Sequence, residues 1–241
     1  MNTPASPALP WKFRALRLLA QDGAPRVFDS TALGQWLEDQ GLSVPGRTLR
    51  RALNEWEGAA LLTKAARGFY LNGQANPQPT LEEAAASIRA GAVVSLGTVL
   101  GRAGVLNNPT HWVTAVVPSD ASSRPANEME SEGGSLFKFA SMRADLFAAP
   151  GTAFARDALE PYAAVPTATA EKALLDWLYV SSRGRGVSRW VLPASQDWDL
   201  DYLDNARLDR LAGAMGLEDE LAQFKQGLEQ SPRVRVRRTM R

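Results

Sequence analysis

Residues 46–71, GRTLRRALNEWEGAALLTKAARGFYL, constrain this chain more than any other stretch. In the first half, Leu49, Leu53 and Trp56 recur at i, i+4 and i+7 with Ala52 beside them. A helix built on that spacing has one apolar face. Arg47, Arg50, Arg51 and Asn54 recur at i, i+3, i+4 and i+7, so the opposite face is basic and rich in hydrogen-bond donors. Gly58 loosens the helix end. Leu61, Leu62 and Thr63 suit a short strand, residues 65–68 a turn, and Phe69, Tyr70 and Leu71 a returning strand. A helix followed by such a hairpin is the order expected of a recognition helix and its wing. A helix fits the DNA major groove, where Arg and Asn side chains read purine edges. The alternative is an ordinary amphipathic surface helix before a hairpin.

The preceding residues supply the rest of such a module. Residues 1–10 contain three prolines and read as a loose arm. In residues 11–20, Trp11, Ala15, Leu18 and Leu19 share one side and Arg14 and Arg17 the other, which predicts a first helix ended by Gly23 and Pro25. Val27 and Phe28 suit a short extended segment pairing with the wing. Asp29 or Ser30 can cap a second helix in which Leu33, Trp36 and Leu37 face inward and which Gly41 stops. Residues 11–73 are therefore expected to form a winged helix-turn-helix. About 60 residues is marginal for a lone core, but Trp11, Phe13, Trp36, Trp56 and Phe69 offer bulky filling.

Composition narrows the remaining chemistry. The 241 residues allow one large domain or two small ones. There is no cysteine, which excludes disulfides and thiolate chemistry, and the single histidine, His111, excludes a multi-histidine metal site. No apolar run reaches membrane-spanning length and no signal-peptide pattern opens the chain, so the cytoplasm is expected. The net charge of +1 conceals an asymmetry: residues 1–73 carry +3, residues 74–232 carry −7, and residues 233–241 hold five arginines and no acid. Basic ends suit a polyanion and an acidic middle suits a basic protein partner.

Residues 72–79, NGQANPQP, read as a hinge between two domains. Beyond it, Thr80 and Glu83 have the spacing of a capping box, opening a helix to about Arg89. Residues 92–95 suit a short strand, after which Ser95 can cap a helix closed by Gly104. Residues 111–117 form a strong strand pattern, giving a βαβ-like opening. Residues 119–134 read as a long surface loop and 135–140 as a strand. Leu146 and Phe147 suit a further short piece, and Ala153, Ala155 and residues 163–165 further extended segments. Residues 169–180 are the strongest helix pattern in the chain. Residues 188–192 suit a strand, residues 204–214 and 217–228 a closing helical pair, and residues 231–241 a basic tail. The tail can contact phosphate, aid solubility, or add a strand that buries Val234 and Val236. The expected fold class is thus α+β: the winged helix-turn-helix at 11–73, then a mixed α/β domain at 80–230.

No catalytic constellation emerges. Asp197, Asp199 and Asp201 alternate as metal-holding aspartates on a strand would, but no phosphate-binding Gly-Ser element precedes them. A polar loop leading into a helix, with Trp198 and Leu200 packing, is the preferred reading. His111 lacks a partner and reads as structural. Ser95-Leu96-Gly97 is not a nucleophile elbow, because Val93 stands where a glycine is expected. Lys172 and Asp176 stand at i, i+4 and can pair. A structural role is preferred for Glu171, Lys172 and Asp176, and contact with a protein partner is the alternative. Neither a cofactor nor a metal is expected, nor an enzymatic activity.

Two blocks carry a family resemblance. One contains Gly91-Ala92-Val93-Val94-Ser95 and, further on, Trp112-Val113-Thr114. The other is Ala168-Thr169-Ala170-Glu171-Lys172-Ala173-Leu174-Leu175-Asp176. With Gly68-Phe69-Tyr70 ending the wing, they resemble the AbiEi-type antitoxins of type IV toxin–antitoxin systems, which act in abortive infection and phage defence, over roughly residues 11–215. The resemblance implies an N-terminal domain that binds inverted repeats in its own promoter and represses it. It also implies an antitoxin-like C-terminal domain that counteracts a nucleotidyltransferase-like toxin, usually without a stable complex. The alternatives are a stand-alone winged-helix regulator with a ligand- or protein-sensing C-terminal domain and, further off, a nucleotidyltransferase-type enzyme. On DNA, Arg47, Thr48 and Arg51 are placed to touch bases, and Arg50 and Asn54 to touch base or backbone. Lys64 and Arg67 are placed to touch phosphate or the minor groove. The oligomeric expectation is a monomer or weak dimer that pairs or cooperates on DNA.

Overall fold

The structure is a computed structural model that describes residues 9–108, 111–119, 128–130, 136–148, 151, 153–182, 192–194 and 197–230. The basic tail, most of the arm at 1–10 and most of the strand expected at 188–192 lie outside the described residues. Two compact units are present, the first built from residues up to Ile88 and the second mainly from those after.

The first unit contains α1 (Trp11–Leu19), β1 (Val27–Asp29), α2 (Ser30–Asp39), α3 (Gly46–Gly58), β2 (Leu62–Ala66), β3 (Phe69–Asn72) and α4 (Leu81–Ile88). Its sheet is ordered β1-β3-β2, with both pairings antiparallel. The extended segment before α2 therefore pairs with the wing, as its residues suggest. Asp29 caps α2, its Oδ1 accepting the amides of Thr31 at 2.7 Å and Ala32 at 2.8 Å. Ala15, Leu19, Phe28, Leu33, Leu37, Leu49, Leu53, Trp56 and Tyr70 form the core, and Trp11 packs on Trp56 at 6.1 Å. Phe13 is not in it. That side chain is 63% exposed, because two residues of helix carry it about 200° around from Trp11.

Residues 72–79 are not a hinge. Asn72 is fully buried. Its Nδ2 donates to the carbonyls of Leu19 at 2.9 Å and Pro25 at 3.1 Å, its Oδ1 accepts the Gln74 amide, and its own amide donates to Arg26 O. A Cβ on Gly73 would lie 2.5 Å from Leu61 O, so only glycine fits there. Gln74 Nε2 then donates to Leu61 O. The proline-rich composition looked loose because these ties reach backbone far away in sequence.

The same ties carry α4 into the first unit, one helix beyond the boundary drawn at residues 73–80. Its capping box is formed: Glu83 N donates to Thr80 Oγ1 at 3.4 Å, and Thr80 N to Glu83 Oε1 at 3.1 Å. Glu83 also accepts from Arg26 Nε at 2.7 Å and Nη2 at 2.9 Å, while Arg26 Nη1 donates to Pro77 O. Arg26 holds the Glu83 carboxyl below the usual carboxylate range.

The second unit contains β4 (Val93–Val94), α5 (Gly97–Arg102), β5 (Val113–Ser119), β6 (Glu128–Glu130), β7 (Leu136–Arg143), α6 (Ala153–Ala158), α7 (Ala170–Ser182), α8 (Asn205–Met215) and α9 (Glu218–Gln230). The sheet order is β4-β5-β7-β6. Because β4 and β5 are antiparallel, the opening is not a βαβ unit; the parallel pair is β5 with β7. Three differences from expectation stand out. The stretch at 119–134 contributes β6, so it is not loop throughout. Leu146 and Phe147 form a buried turn after β7. Ala153 and Ala155 lie in a helix, where alanine's high helical propensity prevails over a weak alternating pattern. Trp198 joins Trp177 and Phe224, with ring centroids at 5.9 and 5.1 Å. No helix among the described residues is long and apolar enough to cross a membrane.

Asn72→Ala removes the donor shared by the buried Leu19 carbonyl and the partly buried Pro25 carbonyl, and should cost about 2–3 kcal/mol in denaturant unfolding. The Arg26–Glu83 pair has a pH signature. A depressed folded-state pKa stabilises fully above the unfolded carboxylate value of about 4.3, and that stability is lost as pH falls through the folded value. Glu83→Gln should lower stability at pH 7 by about 1 kcal/mol and flatten the pH dependence of the melting temperature below about pH 4.3. Equal acid sensitivity in parent and variant would count against this role.

Candidate nucleic-acid interface

Leu49, Ala52, Leu53 and Trp56 are buried along one side of α3. At about 100° per residue the other side must face out, and Arg47, Thr48, Arg50, Arg51 and Asn54 are all exposed. The five expected DNA-reading residues of this helix thus share one open face. In a helix-turn-helix arrangement such a face is the one that enters the major groove.

The wing is tighter than its sequence suggests. Ala65 and Ala66 are buried and stay within β2, with a register shift between Lys64 and Ala66, so the turn is only Arg67 and Gly68. Gly68 has φ +84°, a conformation that glycine supplies readily. Arg67 stands exposed at the tip. Lys64 lies in β2 opposite Tyr70 and is half-buried, set back from the turn.

A carboxylate also belongs to this face. Glu55 Oε2 accepts a close hydrogen bond from Lys12 Nζ on α1, and Glu55 Oε1 stands 3.9 Å from Arg51 Nε. Lys12, and to a lesser degree Arg51, hold the Glu55 carboxyl below its usual range. The sequence pattern singles out neither Lys12 nor Glu55 for this face. The i, i+4 spacing of Arg51 and Glu55 was legible, whereas Lys12 stands 43 positions from Glu55 and nothing local announces it.

In the second unit, the three residues with two open roles are inside. Glu171 is 5%, Lys172 1% and Asp176 0% exposed. Lys172 Nζ donates to Asp176 Oδ1 and lies 3.6 Å from Met142 Sδ. Asp176 Oδ2 accepts the Ser95 hydroxyl at 2.6 Å. Ser95 is therefore engaged across the core and does not cap α5, whose N-cap is Leu96. Glu171 Oε1 accepts the Asp204 amide at 2.9 Å and Oε2 faces Arg207 at 3.5 Å, which fastens α7 to the start of α8. This geometry favours the structural role.

The enzyme-like features resolve in the same direction. Leu96 sits at φ 57°, ψ −137° between β4 and α5, so a strained strand–turn–helix elbow exists with a buried leucine at its apex. Asp199 accepts the Asp201 amide and Asp204 caps α8, making the aspartate run a turn before a helix. His111 is exposed in the bend before β5, rather than packed. No group of three or more potential ligands among the described residues could hold a metal ion.

Together these features define an α+β protein with an N-terminal winged helix-turn-helix and a mixed α/β second unit. The RV2827C protein from Mycobacterium tuberculosis has a similar structure, with a TM-score of 0.51 and 17% identity over 91% of this chain and 80% of that one. At that identity the similarity establishes a shared fold. No protein-family model and no curated protein matches the sequence.

The buried cluster makes an energetic prediction. Lys172→Met leaves Asp176 charged and unpaired, and should cost about 3–5 kcal/mol. The double variant Lys172→Met/Asp176→Asn should cost less, because the amide oxygen still accepts the Ser95 hydroxyl and no charge is stranded. Urea titration of both checks the order.

Proposed function

We propose that this chain is a DNA-binding transcriptional regulator that represses its own promoter and serves as the antitoxin of a type IV toxin–antitoxin pair, opposing a nucleotidyltransferase-like toxin. The observation that carries the DNA-binding part is the outward side of α3, where three arginines and an asparagine lie exposed opposite four buried apolar residues. Arg47, Thr48 and Arg51 touch base edges, Arg50 and Asn54 reach base or backbone, and Arg67 at the wing tip meets phosphate or the minor groove. Lys64, set back in β2, is a weaker candidate for the same contact. One such module reads few bases, so two copies bind an inverted repeat, as a dimer or side by side. The −7 region of residues 74–232 takes no part in DNA contact, since its field repels phosphate.

The antitoxin part rests on the AbiEi-type blocks at residues 90–117 and 168–180. Burial of Glu171, Lys172 and Asp176 removes them from any toxin-facing surface, so the activity belongs to exposed residues of the second unit.

Anisotropy titrations of Arg47→Ala, Arg51→Ala and Asn54→Ala against the upstream promoter and a scrambled duplex test the DNA part. A base-reading arginine should cost roughly 1–3 kcal/mol at its cognate position, while Arg67→Ala should weaken both duplexes about equally. Parent-like promoter binding by all three α3 variants, with the parent preferring the promoter, would falsify the assignment. For the antitoxin part, the full chain is co-expressed with a neighbouring nucleotidyltransferase-like protein. Restored growth is expected; failure to protect, with promoter binding intact, would leave a stand-alone regulator.

A further inference from the structure

The structure assigns Glu55 as a positioning residue that steers Arg51 toward end-on recognition of guanine, with Lys12 as its anchor; this rests on α3 being the DNA-reading helix. The carboxylate is shared by its two oxygens. Oε2 is taken by Lys12 Nζ from α1, and Oε1 faces Arg51 Nε at 3.9 Å. A carboxylate at the Nε edge of a guanidinium leaves the two terminal nitrogens for another partner. Those nitrogens form the end-on fork that fits guanine O6 and N7, the commonest specific arginine contact in the major groove. The side-on alternative, which needs Nε, is the one that Glu55 opposes.

The placement of Glu55 demands an explanation of its own. It lies about 40° around α3 from Arg51 and one turn further along, bordering the reading face. A bare carboxylate there repels DNA phosphates. Lys12 removes that penalty by neutralising it, and it does so from a different helix, so the carboxylate is fixed from outside α3. Arg51 itself is 87% exposed and has many rotamers open to it. An arginine preset by a neighbouring charge loses less freedom when it meets its base, and preference for one base over the others sharpens accordingly.

The test is selection of duplexes from a randomised library by the full-length protein, followed by anisotropy on the selected site and on its single-base variants. Arg51→Ala identifies the guanine position it reads. Glu55→Gln and Lys12→Met should each lower the discrimination at that same position by roughly two- to five-fold, the scale of an exposed ion pair. Preference elsewhere in the site should stay unchanged, while Lys12→Met, which bares the Glu55 carboxylate, should also weaken binding to every duplex about equally. Lys12→Arg, which keeps the charge, should restore most of the preference. Melting temperatures within a few degrees of the parent are expected, as all three side chains are surface groups. Parent-like discrimination in both Glu55→Gln and Lys12→Met, with Arg51→Ala still relaxing it, overturns the steering role alone. Uniformly tighter binding by Glu55→Gln without lost preference also overturns it, because Glu55 would then be only a repulsive charge. No effect of Arg51→Ala, or no preference in the parent, overturns the base-reading assignment beneath it.

Discussion

Everything proposed for the first unit depends on the two-sidedness of α3. Four apolar side chains on this helix have to leave water, and burying a Leu- or Trp-sized group is worth about 1.5–3 kcal/mol. Guanidinium groups cannot follow them inside without partners. The helix therefore has one stable rotation about its axis, and that rotation puts Arg47, Arg50, Arg51 and Asn54 outside. The surrounding elements serve this orientation. Trp11 packs on Trp56 from α1, and the wing follows α3 directly. Asn72 then ties the wing's last residue to the carbonyls that close α1 and precede β1.

What could be read in advance was local. The Asp29 cap, the Thr80–Glu83 box and the alternating faces of α2 and α3 depend on residues two to seven positions apart, and all of them formed. What escaped depended on partners distant in sequence. Residues 72–79 looked like a spacer because nothing in them shows that Asn72 will find Leu19 and Pro25. Ser95 looked like a cap because Asp176 is 81 positions away. Phe13 looked like core because its type is apolar, although its angle around α1 argued otherwise. At the candidate interface the helix residues were legible through their period. The turn of the wing was not, since whether Ala65 and Ala66 extend a strand or enter a loop is decided by burial.

The interior of the second unit changes the meaning of the block Ala168 to Asp176. Its three charged side chains answer to groups inside the same unit: Lys172 to Asp176, Asp176 to Ser95, Glu171 to the start of α8. Such residues cannot drift singly, because each change strands a neighbour. A block held in this way is a framework, much as a keystone pattern identifies a style of vault and not the use of the building. A chain can keep this block and still change what it touches, because contact with other molecules is made from exposed positions such as those along α8 and α9.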